Sequence, residues 1–260
     1  MSKLLGFALL LGLTLPAAAQ EISVAAASDL QPAMAELGAR FQRETGCRVQ
    51  LTFGSSGKFF AQIQNGAPFD IFFSADMDYA KKLADAGLAE PPRQYAEGRL
   101  VLWMRKDSPL DPAKGLEVLL HGRVRRIAIA NPQHAPYGRA AVAALKSAGI
   151  YEKVVGKLVF GENISQAATF VATGNAEVGV LALSLARAPA MRDEGRYSEV
   201  DRKLYPPLVQ GVVLLKSAPH RDLARAFLDF VAKPESAALL RSYGFDVPDL
   251  RKSGPEKNEK

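Results

Sequence analysis

The chain has 260 residues, 48 % of them apolar, 33 basic against 27 acidic side chains, one cysteine and a formal charge of +6. A single cysteine excludes an intramolecular disulfide. Half of that charge is peripheral, since Lys3 lies in an expected N-terminal leader and the tail RKSGPEKNEK adds four basic and two acidic residues; with no Lys/Arg cluster interleaved with aromatics, the body has no nucleic-acid signature.

The first segment, MSKLLGFALLLGLTLPAAAQ, joins one basic residue to an apolar run from Leu4 to Leu15 and a small-residue stretch ending at Ala19. The run is shorter than the ~20 residues a membrane span needs, so residues 1–19 are expected to be a signal peptide cleaved after Ala19. Cys47 lies far beyond that point, which leaves no lipid-anchor signal and points to a protein free in the periplasm of a Gram-negative cell. About 240 residues remain, more than the ~100 to 200 of one domain, and two lobes of comparable size are expected.

Strands and helices then alternate, the pattern of an α/β fold with mostly parallel sheets. Strands are predicted over 22–28, 47–53, 70–74, 99–105, 126–130, 157–161, 178–183 and 209–215. Met34, Leu37 and Phe41 fall on one helical face, as do Leu223, Phe227, Phe230 and Val231. Gly149 and Gly174 stand where helices need a left-handed cap. The polar, Pro-containing stretch 191–208 reads as a surface excursion, and the tail from 249 to 260 as disordered and basic.

Open α/β sheets bind ligands outside the carboxyl ends of their strands. Four such turns, AAASDL, FGSSGK, ANPQHAPYGRA and GENISQAA, offer hydroxyls and free backbone N–H groups at helix starts. A helix N-terminus suits an anion without a cationic side chain, and serine adds a donor while letting the backbone approach. Taken singly, Ser28, Ser55, Ser56 and Ser165 could all be ordinary N-caps.

Together, VAAASDL, FGSSGKFFAQIQNGAPFDIFFSAD, NPQHAPYG, GENISQA, EVGVLALS and LLRSYGF resemble the periplasmic molybdate-binding proteins of ABC importers, over about residues 22 to 246. The resemblance implies a two-lobed periplasmic binding protein fold of type II. Lobe one would comprise residues 20–98 and 211–248 and lobe two residues 99–210, joined by two crossovers. It implies a monomer that closes on molybdate, and on tungstate, and delivers it to a membrane permease and its ATPase, with no cofactor; molybdenum would be held only as the oxyanion. By motif, Ser28 and Ser56 would bind from lobe one, and Tyr137 and Ile164 from lobe two, chiefly through backbone N–H groups, with Ser55 as a further candidate.

Two positions depart from the pattern. Some members carry a tyrosine where this chain has Ala182, so the site would have one hydroxyl fewer. Asp29 puts a carboxylate beside a dianion. The favoured role for it is a side-chain cap on the following helix, whose first turn contains Pro32; in the other, the carboxylate accepts from a protonated anion and favours a phosphate-like ligand.

Lys58 reads as solvated, Arg139 as a surface or interlobe pair, His134 as structural, and Asp70, Asp76, Asp78 and Asp85 as a solvated helix start rather than a metal site. Cys47 reads as a small buried hydrophobe and Trp103 as core or hinge. Another tetrahedral oxyanion, sulfate or phosphate, is the alternative ligand. The competing class is a two-lobed enzyme, for which the turns supply no nearby His or Cys, no phosphate loop and no nucleophile elbow.

Overall fold

The computed structural model describes residues 20–248; the expected leader and tail lie outside the described residues. The strands are β1 (Glu21–Ala27), β2 (Arg48–Gly54), β3 (Ile71–Ser74), β4 (Arg93–Gly98), β5 (Leu100–Arg105), β6 (Ile127–Ala130), β7 (Leu158–Gly161), β8 (Val178–Ala182), β9 (Gly195–Glu199) and β10 (Leu208–Leu214). The helices are α1 (Gln31–Thr45), α2 (Ser56–Gln64), α3 (Met77–Asp85), α4 (Pro136–Ser147), α5 (Tyr151–Val154), α6 (Ile164–Ala172), α7 (Leu183–Ala186), α8 (Pro189–Arg192), α9 (Arg221–Val231) and α10 (Pro234–Ser242).

The strands form two sheets, in the orders β2-β1-β3-β10-β4 and β7-β6-β8-β5-β9. Each is mixed and built to one plan. A parallel trio (β2, β1, β3 or β7, β6, β8) is extended by two strands that each run antiparallel to their neighbours. The strand that extends each trio, β10 or β5, has just arrived from the other sheet. Arg99 alone separates β4 from β5, and residues 200–207 carry the chain back from β9. The return strand begins at Leu208, three residues ahead of the expected boundary at 211.

Alternation along the strands decides which side chains face which helices. Ile22, Val24, Ala26, Ile71 and Phe73 pack with Met34, Leu37 and Phe41 of α1 and Phe227, Phe230 and Val231 of α9. Ala25 and Phe72 turn to the opposite face, against Phe59 and Ile63 of α2 and Leu83 of α3. The second sheet has its own core, which includes Trp103 and extends to Ala27 and Ala75 of the first. Cys47 is buried, and Gly149 and Gly174 have the expected positive φ of 67° and 77°.

The eight expected strands are present, none shifted by more than one residue at either end. β4 (RQYAEG) and β9 (GRYSE) were not expected, and β9 corrects the reading of 191–208 as an irregular excursion. Both are short and polar and lie at a sheet edge, where an alternating apolar signal is not required. Asp70 is a second correction, being buried rather than solvated: its carboxylate accepts the Ser23 N–H at 2.7 Å and the His220 N–H at 3.4 Å. Asp70→Ala strands those donors and is expected to lower the unfolding free energy by about 1–3 kcal/mol. Urea denaturation followed by Trp103 emission checks this.

Candidate functional site

The four turns meet in one small pocket between the two sheets. They follow equivalent strands. The turns after β1 and β2 supply Ser28, Asp29, Ser55 and Ser56; those after β6 and β7 supply Ala135, Pro136, Tyr137, Asn163 and Ile164. Ser56 and Ile164 open α2 and α6, and Tyr137 follows Pro136 at the start of α4. N–H groups in a first turn have no carbonyl four residues back in their own helix, so they are available to a ligand. Pro136 has no N–H, which makes that of Tyr137 the first of its helix. The structure thus brings Ser28, Ser56, Tyr137, Ile164, Asp29 and Ser55 to one wall set. Ala182 is not part of it: it pairs with Leu100 in the second sheet and is buried there.

Ser55 occupies the N-cap position of α2, but none of these serine hydroxyls accepts from the helix that follows. Ser56 Oγ accepts the Ala75 N–H at 2.9 Å, leaving its single proton for another acceptor. Ser28 Oγ accepts the Ser165 N–H at 3.4 Å, with the same consequence. Ser55 Oγ lies 2.9 Å from His134 Nδ1, and Ser165 Oγ donates to the Ser28 carbonyl at 3.0 Å. The side chain that does cap α6 is Asn163, which accepts from Gln166 N at 3.0 Å. Among the lining residues no side chain is cationic, so any anion would be held by neutral dipoles.

Asp29 is the only lining side chain able to carry a full charge, and it corrects the favoured reading. It makes no side-chain cap on the short 3-10 turn Ser28–Leu30 or on α1. Its carboxyl is fully buried, with Oδ2 accepting from Gln210 Nε2 at 2.6 Å and Oδ1 lacking a partner among the described residues. Gln210 Nε2 also donates to the Tyr137 hydroxyl at 3.3 Å, and Tyr95 donates its own to Gln210 Oε1. Burial pushes the Asp29 carboxyl up to about 6, against the opposing pull of the Gln210 amide and the Tyr137 hydroxyl. Burial likewise raises the phenols of Tyr95 and Tyr137 well above their usual value, keeping both as neutral donors. Gln210 was missed by motif reading, although an amide inside the apolar run LVQGVVLL was a visible signal.

The walls are pinned together across the cleft. Gly57 N–H donates to the His134 carbonyl at 2.9 Å, and Ser184 Oγ donates to the Asp29 carbonyl at 2.7 Å. Lys58, expected to be solvated, pairs with Glu162, and Arg139 pairs with Asp76, the cap of α3. Gly98 permits the close approach at the crossover, because a Cβ there would lie 2.1 Å from the Tyr137 hydroxyl oxygen and 2.8 Å from Gln210 Nε2. Half-exposed ion pairs contribute about 0.2–1 kcal/mol, so Lys58→Ala should weaken anion binding less than about fivefold. Gly98→Ala should hold the lobes apart and cost about tenfold or more. Calorimetry and the radius of gyration from small-angle scattering check both variants.

Residues 22–246 match the family model of the bacterial extracellular solute-binding proteins. The chain is 42 % identical to the molybdate-binding protein ModA of Rhodobacter capsulatus, over 92 % of this chain and 93 % of that one. It is 38 % identical to ModA of Azotobacter vinelandii, over 89 % and 92 %. The solved periplasmic molybdate-binding protein of Azotobacter vinelandii superposes with a TM-score of 0.81 at 34 % identity, covering 87 % of this chain and 99 % of that one. With two sheets on one plan and a cleft of helix starts between them, the chain belongs to the bacterial extracellular solute-binding proteins, which carry solutes for transport and are not enzymes.

Proposed function

We propose that this protein captures molybdate, and with it tungstate, in the cleft between its lobes and delivers it to an ABC importer. The observation that carries the reading is the wall set itself: first-turn N–H groups and serine hydroxyls from both sheets, with no cationic side chain among them. The ligands of the relatives named above point the same way. Ser28 and Ser56 bind from one lobe, and Tyr137 and Ile164 from the other through their N–H groups.

Closure expels water and replaces the ion's hydration shell with fixed dipoles. A hydrogen bond to a charged group contributes about 1.5–3 kcal/mol, so about six offset much of the dehydration cost. Selectivity follows from size. Molybdate and tungstate share shape and charge, whereas the smaller sulfate leaves donors too far away to bond well. The protein acts as an exported monomer in the periplasm, and its closed form is what the permease, driven by its ATPase, recognises. No helix among the described residues is long and apolar enough to cross a membrane.

Titration of the anion-stripped protein with molybdate, tungstate, sulfate and phosphate, followed by calorimetry and Trp103 emission, tests the reading. One-to-one binding of molybdate and tungstate, with sulfate and phosphate silent, is expected. Ser28→Ala and Ser56→Ala should each weaken molybdate binding by about 10- to 150-fold with the fold intact. Binding that survives replacement of both serines, or a preference for phosphate, overturns the assignment.

A further inference from the structure

Holding a divalent oxyanion beside Asp29 poses an electrostatic problem that the surrounding side chains do not solve. The groups facing its carboxyl are the backbone N–H groups of Asp29 and Leu30, the Tyr137 hydroxyl from α4 and the Gln210 amide from β10, which Tyr95 of β4 orients. From α6 and α7 the uncharged Ser165 and Ser184 donate to the backbone carbonyls of Ser28 and Asp29 rather than to the carboxyl. None of these is a cation, and Lys58 and Arg139 at the cleft are committed to Glu162 and Asp76. Gln210 Nε2 neutralises no charge and occupies only Oδ2, leaving Oδ1 buried without a partner in a residue that lines the cavity.

Two like charges forced together away from water are relieved when one takes up a proton. Building on the oxyanion reading of the cleft, we infer that Asp29 is protonated in the complex. The protein then takes up one proton from solvent as it closes on a divalent oxyanion, and the Asp29 carboxyl meets the ligand as a neutral donor. The Gln210 amide on Oδ2 by itself favours the ionised carboxylate, but by holding that oxygen it leaves Oδ1 as the one to carry the proton. Asp29 is a specificity element in consequence: it admits a dianion only together with a proton.

The sign follows from linkage. Burial places the free carboxyl at about 6, so below that pH the proton is already bound and affinity is level. Above it the free protein is ionised, the complex is not, and affinity falls by up to tenfold per pH unit until the pH passes the value for the complex.

Molybdate binding is measured by calorimetry from pH 5.5 to 8.5, and at pH 7.5 in two buffers of different ionisation enthalpy, on wild type and Asp29→Asn. For wild type, an affinity loss of tenfold or more across the range and about one proton taken up per ion are expected. The Asn variant should show neither, and should bind more tightly than wild type at pH 8.5. A pH-independent wild-type affinity without proton uptake overturns the inference, as does a slope that persists in Asp29→Asn, since the ligand or another group would then be titrating. The wild-type proton count needs no variant, so misfolding of Asp29→Asn leaves the test decisive. Failure of wild type to bind molybdate even at pH 5.5 overturns the oxyanion reading itself, whereas pH-independent binding overturns only the role of Asp29.

Discussion

An anion taken out of water must find its hydrogen bonds again in the protein, and in the proposed site they come from neutral dipoles. The rest of the architecture follows from that constraint. One helix start exposes only a few N–H groups, and one lobe offers turns from a single edge of its sheet. To surround an ion with donors, two lobes must present the ends of equivalent strands to each other. The repeated sheet plan, with turns after β1 and β2 facing turns after β6 and β7, supplies that arrangement. Small residues at those ends, Ala27, Gly54, Ala75 and Ala135, let the backbone rather than side chains form the walls.

Donors from two bodies are useful only if the bodies meet reproducibly. A single residue, Arg99, separates the outgoing strands, and its side chain pairs with Glu199 and Asp246. Glycine at 98 lets the Tyr137 ring reach from one lobe into the crossover of the other. The hydrogen bonds across the cleft use hydroxyls and carbonyls of the binding turns themselves, as in Ser165 with Ser28 and Gly57 with His134. In the proposed function, closing the lobes and completing the site are therefore the same event. The ion pairs at the cleft are partly exposed and add orientation more than energy.

Asp29 links the two themes. Its carboxyl lies where a binding turn, the return strand β10 and the lobe-two helix α4 converge, joined through Gln210 to Tyr95 and Tyr137. Burial makes this carboxyl expensive to ionise in spite of that network, which is the reason for its raised pKa. Under the proposed function, charge, hinge geometry and ligand chemistry are coupled at this one residue.

Much of this protein was legible in the chain. Strand ends, helix faces such as Met34, Leu37 and Phe41, and left-handed glycines depend on local periodicity and backbone preference, which a sequence displays directly. The motifs around Ser28, Ser56, Tyr137 and Ile164 marked the turns because small and hydroxylated residues at strand ends are unusual in an apolar core. Edge strands β4 and β9 escaped because a strand open to solvent on one flank needs no apolar pattern. The partners of Asp29, the interlobe roles of Lys58 and His134, and the burial of Asp70 escaped for another reason. Each depends on residues tens to more than a hundred and fifty positions apart, 181 for Asp29 and Gln210. Sequence alone determined which turns could hold an anion. Only the tertiary structure decided that they face one another, and that the one carboxylate among them is held by a distant amide rather than spent on capping its own helix.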